Sequence, residues 1–220
     1  MMAIRNLVPA PLLCLMMLAA AAQADDMPPP LPALERVTVI PVPKSIADFT
    51  LTDQDGRPRA FSSLRGAPAL VFFGFTHCPD VCPAALTKLK LLQGSAGGVL
   101  RAVRVVMISV DGERDTPAVM KRYLASLSPD FIGLTGNPRA VADIAARFAA
   151  VAFKGQPDSA GNYDFFHSSQ VFLVDAAGRL RASFSDASVE DMATVTRMVL
   201  GEQSAASAVA SPGSPRTRSP

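Results

Sequence analysis

From residue 49 onward, apolar runs of four to seven residues alternate with stretches whose apolar positions recur every three or four. These are the two periods of strand and helix. Phe49 to Thr52 predicts a strand, Asp53-Gln54-Asp55-Gly56 a turn, and Arg59 to Phe61 its return. Ala69 to Phe75 (ALVFFGF) is apolar throughout, as in a central strand buried on both faces. Pro83 to Gln93 sets Leu86, Leu89 and Leu92 on adjoining turns of a helix. Arg104 to Val110 predicts a strand. Thr116 to Leu127 predicts a helix with Thr116 as cap and Pro117 at its first position, its stripe Val119, Tyr123 and Leu127 in the core. Asp130 to Leu134 is a short strand, and Pro138 to Ala149 a helix capped by Asn137. Gln170 to Val174 and Leu180 to Phe184 are strands joined by the hairpin signal Asp175-Ala176-Ala177-Gly178, before a last helix over Ser188 to Leu200. This order predicts an α/β fold: a mixed, mostly parallel sheet covered by helices on both faces, with an antiparallel hairpin at its edge.

The two ends break the pattern. Arg5, the apolar run Leu12 to Ala22 and the small-residue site Ala22-Gln23-Ala24 form a secretory signal peptide over residues 1–24. The run is too short to span a bilayer, which needs about 20 residues. Cys14 lacks the small residues of a lipoprotein site before it. Residues 25–44 (PPPLP, then PVPK) predict an extended, weakly ordered Pro-rich linker. Residues 202–220, rich in Ser, Ala and Pro, predict a disordered tail. One domain, 45–201, lies between them.

Composition narrows the chemistry. A net charge of +2 makes no electrostatic case for nucleic acid. Three cysteines exclude a disulfide-stapled miniprotein, and two histidines exclude a His-rich metal cage. Export removes Cys14, leaving two cysteines in an oxidising compartment, the periplasm.

Those two are Cys78 and Cys82, in Phe75-Thr76-His77-Cys78-Pro79-Asp80-Val81-Cys82-Pro83, directly after the most apolar strand and at the start of a helix. Ligand sites in α/β sheets lie beyond the carboxyl ends of strands, and a helix N-terminus favours thiolate. On a helix the two residues share a face, with Cα atoms about 6 Å apart. That separation suits either a Cys78–Cys82 disulfide or convergence on one ion. His167 lies just before the strand Gln170 to Val174, which is expected to run beside the central one with its leading end facing the cysteine loop. Two thiolates and an imidazole suit copper in either oxidation state, whereas zinc usually takes a fourth ligand. His77 is read as pointing away from the thiols. Asp111, Arg114 and Asp115 are read as a helix-start loop held by an Arg–Asp pair.

Three ordered motifs resemble the Sco/SenC family: Thr76 to Pro83, then Ser109-Val110-Asp111-Gly112-Glu113-Arg114-Asp115-Thr116-Pro117, then His167-Ser168 before Phe172-Leu173-Val174-Asp175 and Gly178-Arg179. The similarity runs from about Pro43 to Leu200. It implies a thioredoxin-like fold with extra N-terminal strands, and copper bound by Cys78, Cys82 and His167. It also implies delivery of copper to the copper-bearing subunit of cytochrome c oxidase, reduction of that subunit's cysteines, or both. Other periplasmic copper chaperones or thiol reductases are further implied partners. One position departs: where the family commonly has Asp before the ligand His, this chain has Phe166, and altered copper affinity is expected if that Asp orients the imidazole.

Two enzyme readings stand beside the copper carrier. A thiol–disulfide reductase would attack through Cys78 and resolve through Cys82. Against it stand the three-residue spacing and a matching segment, His167-Ser168-Ser169, that has no proline. A peroxiredoxin-type peroxidase needs Thr three residues before its attacking Cys, and here that position is Phe75.

Overall fold

The structure is a computed structural model that describes residues 36–94, 99–160 and 163–210. The expected signal peptide, linker residues 25–35 and tail residues 211–220 lie outside the described residues.

The centre of the sheet is β4 (Ala69–Gly74), whose six residues are all buried, so both of its faces are covered. It pairs in parallel with β5 (Arg104–Ser109), which pairs in parallel with β6 (Ile132–Thr135). On its other side β9 (Val171–Val174) runs antiparallel, with Val171 opposite Phe72. The leading end of β9 therefore meets the trailing end of β4, as the sequence led us to expect. β10 (Arg179–Phe184) pairs antiparallel with β9, and β1 (Val37–Ser45) antiparallel with β10. At the far side β2 (Thr50–Asp53) joins β6 and carries β3 (Pro58–Ala60). The eight-stranded order is β1-β10-β9-β4-β5-β6-β2-β3.

The sheet is thus mixed, but its parallel part is confined to β4, β5 and β6. Nor is the terminal hairpin an edge. The expected linker supplies β1, which covers β10 over residues 37–45 with an irregularity between Val39 and Lys44. Pro41 and Pro43 fall in that irregular part of an outer strand, where a missing N–H breaks no interior ladder. Read alone, the prolines suggested an unpaired segment, and the strand that orders them, β10, lies far along the chain, with Val37 opposite Phe184 and Ser45 opposite Arg179.

Local signals place the helices. α2 (Pro117–Leu127) starts with Pro117, and the Thr116 hydroxyl accepts the Val119 N–H. α3 (Pro138–Arg147) starts with Pro138, and Asn137 accepts from Arg139 and Ala140. α1 (Val81–Gly94) begins two residues before the expected Pro83. α4 (Val189–Ala210) continues ten residues past Leu200 into the expected disordered tail, through Ala-rich sequence of high helix propensity. In α2 the fully buried positions are Met120 and Leu124, while Val119, Tyr123 and Leu127 are half-buried on its flank. The core's aromatic centre is Phe73, Phe148 and Phe172, in mutual edge-to-face contact at 5.4–6.0 Å. Each such pair adds about 0.5–1.5 kcal/mol beyond its buried area. A separate two-stranded ribbon, β7 (Ala152–Lys154) with β8 (Phe165–His167), was not expected. At three residues per strand it is too short to show a period.

Candidate metal centre

The central strand ends in Gly74, and the chain then turns into the cysteine loop. A Cβ on Gly74 would lie 2.5 Å from Phe72 Cε1 and 3.0 Å from Cys82 Sγ, so the missing side chain is the space into which the sulfur fits. The loop is tied down by Asp115, whose carboxylate is fully buried. Asp115 accepts from the Thr76 N–H at 2.9 Å, the Thr76 hydroxyl at 2.6 Å and the Ser109 hydroxyl at 2.6 Å. These bonds fasten the loop to the end of β5 and the start of α2. The expected Arg–Asp pair is present between Arg114 and Asp111. The separate anchoring role of Asp115 was not foreseen. Its signal was the pair of hydroxyls at the carboxyl ends of two buried strands, Ser109 as the last residue of β5 and Thr76 two residues past β4.

Cys78 and Cys82 do not share a helical face. Cys82 is in the first turn of α1, whereas Cys78 precedes the helix, and its sulfur accepts the Cys82 backbone N–H at 3.4 Å. The Pro79-Asp80 step keeps Cys78 outside the helix, where its sulfur caps an otherwise unpaired donor. Cys78 is half-buried and Cys82 wholly buried, and both are free thiols. Burial pushes the Cys82 thiol up, with a backbone hydrogen bond from Phe75 acting in the opposite sense.

His167 ends β8 and turns Nε2 toward Cys82 Sγ at 3.7 Å. Its Nδ1 lies 3.1 Å from the Ser168 carbonyl oxygen, which can only accept. The proton therefore sits on Nδ1, and the Nε2 lone pair faces the sulfurs. Phe72 and Phe75 hold the ring edge-on at 6.0 and 5.7 Å. Burial lowers the imidazole's pKa below the usual 6.5, which keeps it neutral and able to ligate. One donor atom from each of Cys78, Cys82 and His167 lies within 4.8 Å of the others. The structure thus brings together the three residues singled out from sequence.

Phe166 points to the opposite side of β8 and is 60% exposed, stacked on Phe153 at 5.1 Å. The imidazole's orientation is fixed instead by the Ser168 carbonyl. His77 is exposed and sits 3.7 Å from Asp115, away from the thiols, as expected. It forms a second close group with Asp111 and Asp115, but both carboxylates are already engaged by loop donors. One further residue was missed. Tyr123 was read as core filler, yet its hydroxyl is buried with no hydrogen-bond partner among the described residues. Burial pushes this phenol up to about 12. No helix among the described residues is long and apolar enough to cross a membrane.

The chain is similar to known proteins. An SCO2-like protein of Rickettsia conorii is 37% identical over 147 residues, 66% of this chain and 72% of that protein. A putative copper-binding protein of Stutzerimonas stutzeri is 34% identical over 146 residues, 66% of this chain and 71% of its own. Among solved structures, Bradyrhizobium japonicum ScoI with copper bound superposes with a TM-score of 0.63 at 38% identity, covering 70% of this chain and 99% of that one. That likeness makes the fold thioredoxin-like, with β1, β2 and β3 among its strands. The SCO1/SenC family model matches residues 40–201, a span that takes in the cysteine loop, the Asp115 anchor and the histidine ribbon alike, and the chain belongs to the SCO1/SenC family.

Proposed function

We propose that this protein is an exported copper metallochaperone that carries copper on Cys78, Cys82 and His167 and passes it to the copper centre of cytochrome c oxidase. The observation that carries this reading is the convergence of two sulfurs and one unprotonated imidazole nitrogen, all within 4.8 Å, at the carboxyl end of the central strand. Such a soft, three-donor set fits copper better than zinc, which usually takes a fourth ligand. Binding copper(I) to the two thiols releases two protons and leaves a site of net charge −1, so acid opposes loading. Cys82 and His167 hold the ion from the buried side. Cys78, half-exposed, is where an incoming thiolate of the client begins ligand exchange. The apolar leader would place the protein in the periplasm, beside the copper-bearing oxidase subunit and other copper chaperones or thiol reductases there.

One observation favours a second reading, a thiol–disulfide reductase that reduces the cysteines of the oxidase copper site. The half-buried Cys78 sulfur accepts an N–H at a helix start, which suits an attacking thiolate, and the sealed Cys82 suits a resolving thiol. A Cys78–Cys82 disulfide is the product of that reaction.

Anaerobic copper titration of the reduced protein decides between them, read by sulfur-to-copper charge transfer and by EPR. One tight equivalent, lost in Cys78→Ser, Cys82→Ser and His167→Ala, is the expected result. Uptake indifferent to His167 would overturn the carrier reading and leave the reductase.

A further inference from the structure

His167 stands on a ribbon that needs outside support. β7 and β8 have three residues each and form a sheet of their own, and an isolated two-stranded ribbon is marginally stable. The end beside His167 is closed by the Ser168 N–H on the Val151 carbonyl and the Val151 N–H on the Ser168 hydroxyl, both at 2.9 Å. The far end reaches beyond the ribbon. Lys154, the last residue of β7, donates to Glu113 Oε2 at 2.7 Å. Tyr163, two residues before β8, has two acceptors for its hydroxyl, the same Glu113 oxygen at 3.2 Å and Asp111 Oδ1 at 3.3 Å. Two cations lie over the Tyr163 ring, Lys154 Nζ at 3.7 Å and Arg114 Cζ at 4.1 Å from its centroid. Ring contacts then run inward. Tyr163 meets Phe165, Phe165 meets Phe75, and Phe75 is one of the two rings that hold the imidazole.

Asp111, Glu113 and Arg114 belong to the loop after β5, and so does Asp115, whose carboxylate fastens the cysteine loop. One short segment therefore holds both halves of the donor set. A surface ion pair alone contributes little, but here several charges act on a single ring and hydroxyl. We propose that Tyr163 is a positioning residue: packed against Arg114 and Lys154 and bonded to Glu113, it docks the ribbon on the loop after β5 and so sets the His167 imidazole against the two sulfurs. The inference rests on the reading of Cys78, Cys82 and His167 as one site. It goes further by naming what fixes the imidazole's place relative to the thiols.

Tyr163→Leu removes the ring and the hydroxyl. Glu113→Ala removes the acceptor that Tyr163 and Lys154 share, at an exposed position, and decides the matter should Tyr163→Leu fail to fold. The first readout needs no metal. In the reduced protein, nuclear Overhauser contacts from the His167 ring to Phe72 and Phe75 should be present in wild type and weakened in both variants. The second is copper(I) affinity, measured by competition with a chelator. It should fall roughly tenfold or more in Tyr163→Leu and less in Glu113→Ala. Added to His167→Ala, Tyr163→Leu should change affinity by less than about twofold, because a residue that acts through His167 then has nothing to act on. A merely structural residue would lower it again. Undiminished ring contacts in Tyr163→Leu, or an equal loss of affinity with and without His167, would overturn the proposal. So would unchanged affinity in Tyr163→Leu where wild type binds copper through His167. If wild type takes no copper, or takes it without His167, the carrier reading falls and the metal-free ring contacts alone judge Tyr163.

Discussion

Asp115→Ala tests how the cysteine loop is held. The carboxylate is fully buried and receives three donors: the Thr76 N–H, the Thr76 hydroxyl and the Ser109 hydroxyl. Alanine leaves them unequal. The Thr76 hydroxyl can turn to His77 Nδ1, 3.2 Å away, and so loses little. The Thr76 N–H and the Ser109 hydroxyl, on a wholly buried serine, have no such alternative. Each orphaned donor costs about 1–3 kcal/mol, so the variant should lose about 4 kcal/mol, a large share of a domain's usual stability. Asp115→Asn gives the control. Its amide oxygen can keep both bonds on the Oδ2 side, and its NH2 can face the Thr76 oxygen. It loses only the charge assistance, about 1–2 kcal/mol, and part of that is returned because no charge is buried. Urea unfolding of the reduced, metal-free proteins, followed by circular dichroism, measures both. Asp115→Ala within about 1 kcal/mol of wild type, or Asp115→Asn as damaging as alanine, would refute this account of the loop.

Two other outcomes follow from the same site. Gly74→Ala should destabilise the fold by about 1–3 kcal/mol, because its Cβ overlaps the fully buried Phe72 ring, and should displace Cys82 Sγ; a wild-type melting point together with an unmoved sulfur-to-copper band would contradict that. His167 titrates below its ordinary value when folded, so the unfolded chain binds more protons as the pH falls through about 6.5. Metal-free stability should drop below that pH and flatten in His167→Asn, and an identical slope in the variant would remove His167 as the source.

Much of this was legible because the signals were local. The continuous apolar run of β4, the Thr116-Pro117 and Asn137-Pro138 caps and the Asp175 turn each lie within a few residues, and each forms as expected. The ligand trio was legible because cysteine and histidine are so scarce here. What escaped was set by distant partners. β1 is ordered by β10, and the ribbon that carries His167 is held by the register of Ala152 against His167. The sequence read Phe166 as a loss beside the ligand. Strand alternation instead turns it outward onto Phe153, and a backbone carbonyl, which no substitution marks, orients the ring.

The asymmetry of the two sulfurs serves both functional readings, so it cannot decide between them. Cys78, the more accessible of the two, is the natural point of attack in dithiol exchange and equally the natural exit for a metal ion. The imidazole is different. Thiol exchange needs no nitrogen lone pair 3.7 Å from the buried sulfur, proton fixed on the far nitrogen and ring clamped by two phenylalanines. Burying a neutral histidine lowers stability in acid, as its depressed pKa records. A copper site gives that arrangement a use, because an unprotonated, pre-oriented nitrogen binds without first losing a proton or rotamer freedom. The carrier reading therefore accounts for one more built feature than the reductase does, and His167 is the residue on which the two readings part.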